Sequence, residues 1–164
     1  MAVTGNYNFT SSDGTTAQFG VGAMVNVGGN YYQYCKATAA AIAQWAILSG
    51  ASPAVVAEAT TTTATALGTG GGFCAIAPFA VAASEYFWAL VGPFYLNSVD
   101  GSAFKVLAAN VTAGNLLYST ATAGVLDDDS AGSTIPVIGL VLTTTVTTQA
   151  ATGCTAFKKL SWLK

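Results

Sequence analysis

Nowhere in this chain does a charged helical face with a 3.6-residue period persist over three turns; short runs of β-branched and aromatic residues recur between glycines instead. A chain patterned this way buries apolar surface by stacking or closing sheets. The expected fold is therefore mainly β, a single-domain β-sandwich or small β-barrel with at most one short helix.

Residues Tyr31 to Ala37 (YYQYCKA) follow Val27-Gly28-Gly29-Asn30 and pair naturally with Gly20 to Val27 as a hairpin, because Gly-Gly suits a two-residue connection. Ala39 to Leu48 (AAAIAQWAIL) is the best helical candidate, since alanine and leucine favour helix and no breaker intervenes before Gly50; a buried strand turning at Ser49-Gly50 fits equally. Ala59 to Gly72 reads as an edge strand or extended loop. Phe73 to Val91 is the densest apolar stretch, with Phe79, Tyr86, Phe87, Trp88 and Leu90 as core anchors. Short strands are expected within Val106 to Tyr118, at Val125 to Leu126, and within Val137 to Thr148 and Ala156 to Leu163. Turns separate them at Asp100-Gly101, Ala113-Gly114, Ala123-Gly124 and Ala131-Gly132. No repeat of fixed period is visible, and no charge run or proline-rich linker marks a boundary. The organisation expected is an N-terminal arm, 1–16, and one β-rich domain, 17–164.

Composition narrows function. Of 164 residues, 52% are hydrophobic and 7% charged, against a usual charged share of about 25%. So few charges leave little electrostatic protection against association, which suits a subunit of an assembly. Five lysines, no arginine and a net charge of −2 offer nothing to track a phosphate backbone, so nucleic acid is not an expected partner. Mean hydropathy is +0.54, yet the uncharged window 37–57 is mostly alanine and carries Gln44, Ser49, Gly50, Ser52 and Pro53. It suits hydrocarbon poorly, and no membrane partner is expected. The N-terminus shows no cationic stretch followed by an apolar core, so synthesis and folding in a cytoplasm are expected.

The chemistry of common active sites is missing. Without histidine, no Ser-His-Asp or Cys-His arrangement can be built. The carboxylates Asp13, Glu58, Glu85, Asp100 and Asp127-Asp128-Asp129 fall in no recognisable motif, and adjacent aspartates point in different directions, so no metal site is assigned. Gly68, Gly70, Gly71 and Gly72 lack the lysine of a phosphate loop. Cys35, Cys74 and Cys154 are odd in number and widely spaced, and read as buried thiols. The chain is expected to be no enzyme and to need no cofactor.

Three stretches carry a resemblance: AQFGVGAMVNVGGNYYQYCKATAAAIAQWAIL (17–48), FCAIAPFAVAASEYFWALVGPFYL (73–96) and VLAANVTAGNLLYSTATAGVLDDDSAGSTIPVIGLVLTT (106–144). Gly29, Tyr32 and Tyr34 open a G-x-x-Y-x-Y strand, and Trp88 marks an aromatic strand. Ala113, Gly114, Leu117, Ser119, Thr122, Ala123 and Gly124 form a glycine-turn pattern that precedes Ile138, Gly139 and Leu142. Together they resemble the head decoration, or capsid cement, proteins of tailed bacteriophages. The pattern departs at Phe87, where a glycine would precede the tryptophan. The resemblance implies a structural virion protein on the capsid exterior, made in the host cytoplasm. Such a protein binds the outer surface of the major capsid protein shell and stabilises it, with itself as second partner in a homotrimer. Avidity over several subunits would supply the clamping.

Candidate contact residues are Tyr7 and Phe9, isolated aromatics in a polar arm that would order on a partner, and the threonine run Thr60, Thr61, Thr62 and Thr63. Two other functions fit the composition. One is a receptor- or glycan-binding module of a virion, using Tyr31, Tyr32, Tyr34, Phe87, Trp88, Phe94 and Tyr95 as stacking faces. The other is a self-assembling shell or fibre subunit.

Overall fold

The hairpin forms where two consecutive glycines allow it. In the computed structural model, which describes residues 7–58, 73–92, 103–105, 112, 114–128, 136–142, 154–156 and 160–162, β1 (Met24–Val27) pairs antiparallel with β2 (Asn30–Lys36). Gly28 and Gly29 both take positive φ, 60° and 86°, as a type I′ connection requires. The chain continues through β3 (Ile47–Ser52), β4 (Val55–Glu58), β5 (Phe73–Ile76) and β6 (Tyr86–Gly92), which join the hairpin in one sheet of order β1-β2-β6-β5-β3-β4.

That sheet closes on itself. The amides of Lys36 and Thr38 donate to Pro53 and Val56 carbonyls, both at 2.9 Å, and Ala37 bridges Val56 in parallel. Neighbouring strands in the order β2-β6-β5-β3-β4 are antiparallel. Five alternating strands end in the direction they began, so the closing pair must be parallel, as observed. The result is a small barrel with β1 standing outside it on the N-terminal half of β2.

The interior is set by register. Cys35 pairs with Phe87 and Leu48 with Ala75, and these side chains pack with Ala37, Ile42, Val56, Phe79 and Val81 in one buried cluster. Alanine recurs there because five strands enclose little space. The opposite face, carrying Tyr34, Trp88, Leu90, Ile76 and Ile47, is also buried, so the barrel is covered outside as well as filled inside. All the expected core anchors except Tyr86 are buried; Tyr86 is half-buried.

One turn recurs at five strand entrances. The amide of Ala23 donates to Gly20, Ala46 to Ala43, Glu85 to Ala82, Asn115 to Thr112 and Val125 to Thr122, at 2.9, 3.2, 3.3, 3.3 and 3.3 Å. The third residue of each turn has positive φ: Gly22 (90°), Trp45 (61°), Ser84 (64°), Gly114 (85°) and Gly124 (71°). This is the type II pattern. In every case the strand begins one residue after the turn, at Met24, Ile47, Tyr86, Leu116 or Leu126.

The same geometry overturns the helical alternative over Ala39 to Leu48. No helix occurs among the described residues. Ile42 instead exchanges two backbone hydrogen bonds with Val81 (2.8 and 2.9 Å), and Trp45 and Ser84 donate to Ala77 and Thr38, each at 2.7 Å. Burial of Ile42, Ala46, Ile47 and Leu48 outweighs the modest helical preference of alanine. Ile42/Val81, Trp45/Ser84 and Ile47/Tyr86 are each 39 positions apart, a structural correspondence where the sequence shows no repeat.

The remaining strands are β7 (Ala103–Lys105), β8 (Leu116–Ser119), β9 (Leu126–Asp127), β10 (Pro136–Leu142), β11 (Cys154–Ala156) and β12 (Leu160–Trp162). They form a sheet of order β12-β10-β8-β9 and a β11-β7 pair. Gly124, at the turn into β9, accepts the Ile47 amide at 3.1 Å.

Candidate functional site

The outer face of β2 and β6 is aromatic because alternation places Tyr32, Tyr34, Tyr86 and Trp88 there together. The described part of the N-terminal segment lies across it. Tyr7 meets Trp88 edge-on at 5.3 Å and stacks on Phe19 at 5.4 Å. Phe9 sits 4.4 Å from Tyr32, and Phe19 lies 5.1 Å from Trp88. Backbone bonds fix the segment: Asp13 donates to Tyr86, and Tyr86 donates to Gly14, at 2.8 and 2.9 Å. The Tyr34 hydroxyl donates to Asp13 Oδ2 at 2.8 Å and accepts the Gln18 amide at 3.1 Å. Burial, reinforced by the Asp13 carboxylate, pushes Tyr34 up to about 12. Tyr7 and Phe9 are thus half-buried against the chain's own barrel, while Thr60, Thr61, Thr62 and Thr63 lie outside the described residues.

The carboxylates hold turns. Glu58 accepts the Ala43 amide, Glu85 the Ala82 amide and Asp128 the Thr112 amide. These are the first residues of three of the five recurring turns. The Thr120 hydroxyl does the same for the Thr122 amide, at 3.1 Å. Ser12 adds a second bond to Glu85, and Asn115 a second to Asp128. No group of three metal-ligating side chains exists among the described residues. Cys35 is buried and its thiol lies well above its ordinary range through desolvation, so it is a packing group and not a ready nucleophile. Cys74 and Cys154 lie in strands whose side chains are not described.

As stacking faces, Tyr34, Phe87 and Trp88 have nothing to offer a sugar, since they are 0%, 0% and 1% exposed. Tyr31 is exposed and Tyr32 half-buried; Phe94 and Tyr95 lie outside the described residues. Among the described residues no helix is long and apolar enough to cross a membrane.

What remains open is the hairpin. Val21, Met24, Val27 and Tyr31 are 41, 59, 42 and 45% exposed, and of the exposed large hydrophobic residues only Val55, at the start of β4, lies elsewhere among those described. Beside Met24 a cavity of about 120 Å³ is lined by Tyr7, Phe19, Gly20, Ala23, Met24 and Trp88. The hairpin reads in the sequence as a strand pair, and its open outer edge is added by the structure. The signal was there: GVGAMVNVGG has alternating apolar residues and no charge or proline to blunt an edge strand. No family model, curated protein or solved structure matches the chain.

Proposed function

We propose that this chain is a structural virion subunit, a head decoration protein that binds the outside of an assembled capsid shell and stabilises it as a homotrimer. The observation that carries the reading is the exposed apolar hairpin at Val21, Met24, Val27 and Tyr31 on a molecule with 7% charged residues. Clustered exposed apolar side chains mark protein contact sites. The carboxylates support a structural role, because Glu58, Glu85 and Asp128 are spent on turns. A protein that clamps neighbours needs rigidity more than chemistry, and five turns of one type, four tied by side-chain oxygens, provide it.

The test is the solution mass by light scattering, followed by sedimentation with capsids of the parent phage. A trimer that pellets with capsids is the expected result. A monomer that stays in the supernatant overturns the proposal.

A further inference from the structure

We propose that the outer edge of β1 and the cavity beside it receive an extended, uncharged segment of another protein. The segment adds as a strand and seats one leucine-sized side chain among Tyr7, Phe19, Met24 and Trp88. Naming that protein as a capsid subunit rests on the reading above; the site itself does not.

Backbone groups supply the first half of the site. Tyr34 donates to the Ala23 carbonyl and accepts the Gly22 amide, both at 2.8 Å. The antiparallel alternation then directs Val25 and Val27 toward β2 and turns the N–H and C=O of Met24 and Asn26 outward. Among the described residues no strand pairs with that side of β1. Such an edge is a template for an added strand.

The cavity supplies the second half. It adjoins the edge at Ala23 and Met24 and holds about 120 Å³; a cavity of about 150 Å³ accepts benzene, so this one suits a single leucine or proline. Trp88, one of its walls, has a buried indole N–H with no acceptor among the described residues. That N–H is closed off from solvent, so Trp88 serves the cavity as an apolar wall.

Charge fixes the class of occupant. Residues 14–35 contain no Asp, Glu, Lys or Arg, so the hairpin and the segment before it offer no counter-charge of their own to an acidic or basic peptide. An ionic segment would lose its hydration without recompense. The occupant is therefore a neutral extended segment with an apolar anchor.

The probe is an acetylated and amidated threonine heptapeptide with a central leucine, titrated into the ¹⁵N-labelled protein. Expected are saturable shifts at the amides of Met24 and Asn26, binding about tenfold weaker when the leucine is replaced by alanine, and weaker again with lysine. Ala23→Leu fills the cavity from an exposed position and should erase the preference for leucine over alanine while the spectrum stays dispersed. Shifts elsewhere, or equal affinity for the leucine and alanine peptides, would overturn the site. So would a rise in mass without peptide that Ala23→Leu abolishes, which would give the edge to a second copy of this chain. Capsid sedimentation separates the two proposals. Peptide binding without capsid binding sinks the decoration reading alone; capsid binding unchanged by Ala23→Leu, with no peptide binding, sinks this site alone.

Discussion

Two glycines occupy the same place in the recurring turn but face different surroundings, and replacing each by alanine separates backbone strain from packing. Gly114 and Gly124 have φ of 85° and 71°, where an L-residue costs roughly 1–2 kcal/mol. Loss of glycine's freedom in the unfolded chain returns about 0.4–1 kcal/mol. A Cβ at Gly114 meets nothing within 4 Å among the described residues, so Gly114→Ala should cost only about 0.5–1 kcal/mol. At Gly124 the added carbon falls 2.6 Å from Ala46 Cβ and 3.2 Å from the Glu58 carboxylate. Ala46 is fully buried, and Glu58 holds the amide that opens the Ala43 turn. Overpacking of this kind adds about 1–3 kcal/mol, for a total of roughly 2–4 kcal/mol. At about 2–4 °C per kcal/mol for a chain of this size, thermal unfolding followed by circular dichroism resolves the two variants easily. The double variant Gly124→Ala/Ala46→Gly removes the opposing carbon and should recover at least about 1 kcal/mol beyond additivity. Equal losses at the two glycines, or strict additivity in the double variant, would refute the packing of this turn on the barrel.

Ser84 has φ of 64° where three of the five turns use glycine, so Ser84→Gly should raise stability by about 0.5–1 kcal/mol in urea unfolding; a loss would mean that the serine side chain holds the turn. Tyr34 is neutral in the fold up to about 12, against an ordinary value of 10.0. Its contribution is present in full below pH 10 and lost as pH rises from there toward about 12. Tyr34→Phe should flatten that part of the stability–pH curve, and tyrosinate absorbance should report the late-titrating residue. Cys35, buried and held protonated, should resist iodoacetamide at pH 8 in the native protein and react after unfolding in urea, as read by peptide mapping; rapid native labelling would contradict its place in the barrel interior.

The fold was most legible where local chemistry and the tertiary requirement agree. Gly28-Gly29 sets a two-residue connection whatever surrounds it, so the hairpin and its register follow from sequence. Gly114 and Gly124 likewise declare their turns. The Ala43–Ala46 and Ala82–Glu85 turns have the same geometry but carry Trp45 and Ser84 at positive φ, residues with no preference for it. Alanine around Trp45 adds a weak bias toward helix, and the bias is overridden by Ile42 and Ala46 entering the barrel from opposite sides of the turn. Local propensity there is a fraction of a kilocalorie per residue, while a buried isoleucine or leucine gains about 1.5–3 kcal/mol.

The acidic residues show why the site was harder to read than the fold. Glu85 reaches back three residues to Ala82, a contact that sequence spacing can suggest, but Glu58 reaches Ala43 and Asp128 reaches Thr112 only because the barrel and the β8–β9 sheet bring them together. In sequence these carboxylates are unassigned and free to be imagined as acids, bases or ligands. In the fold each is tied to an amide at a strand entrance, a contact that holds the turn in place. The same closure consumes Tyr34 and Trp88 as stacking surfaces and leaves β1 as the exposed apolar edge of the barrel sheet. The function proposed here therefore follows from what the barrel cannot enclose: a strand too many for a five-strand closure, uncharged along its length, with a cavity at its start.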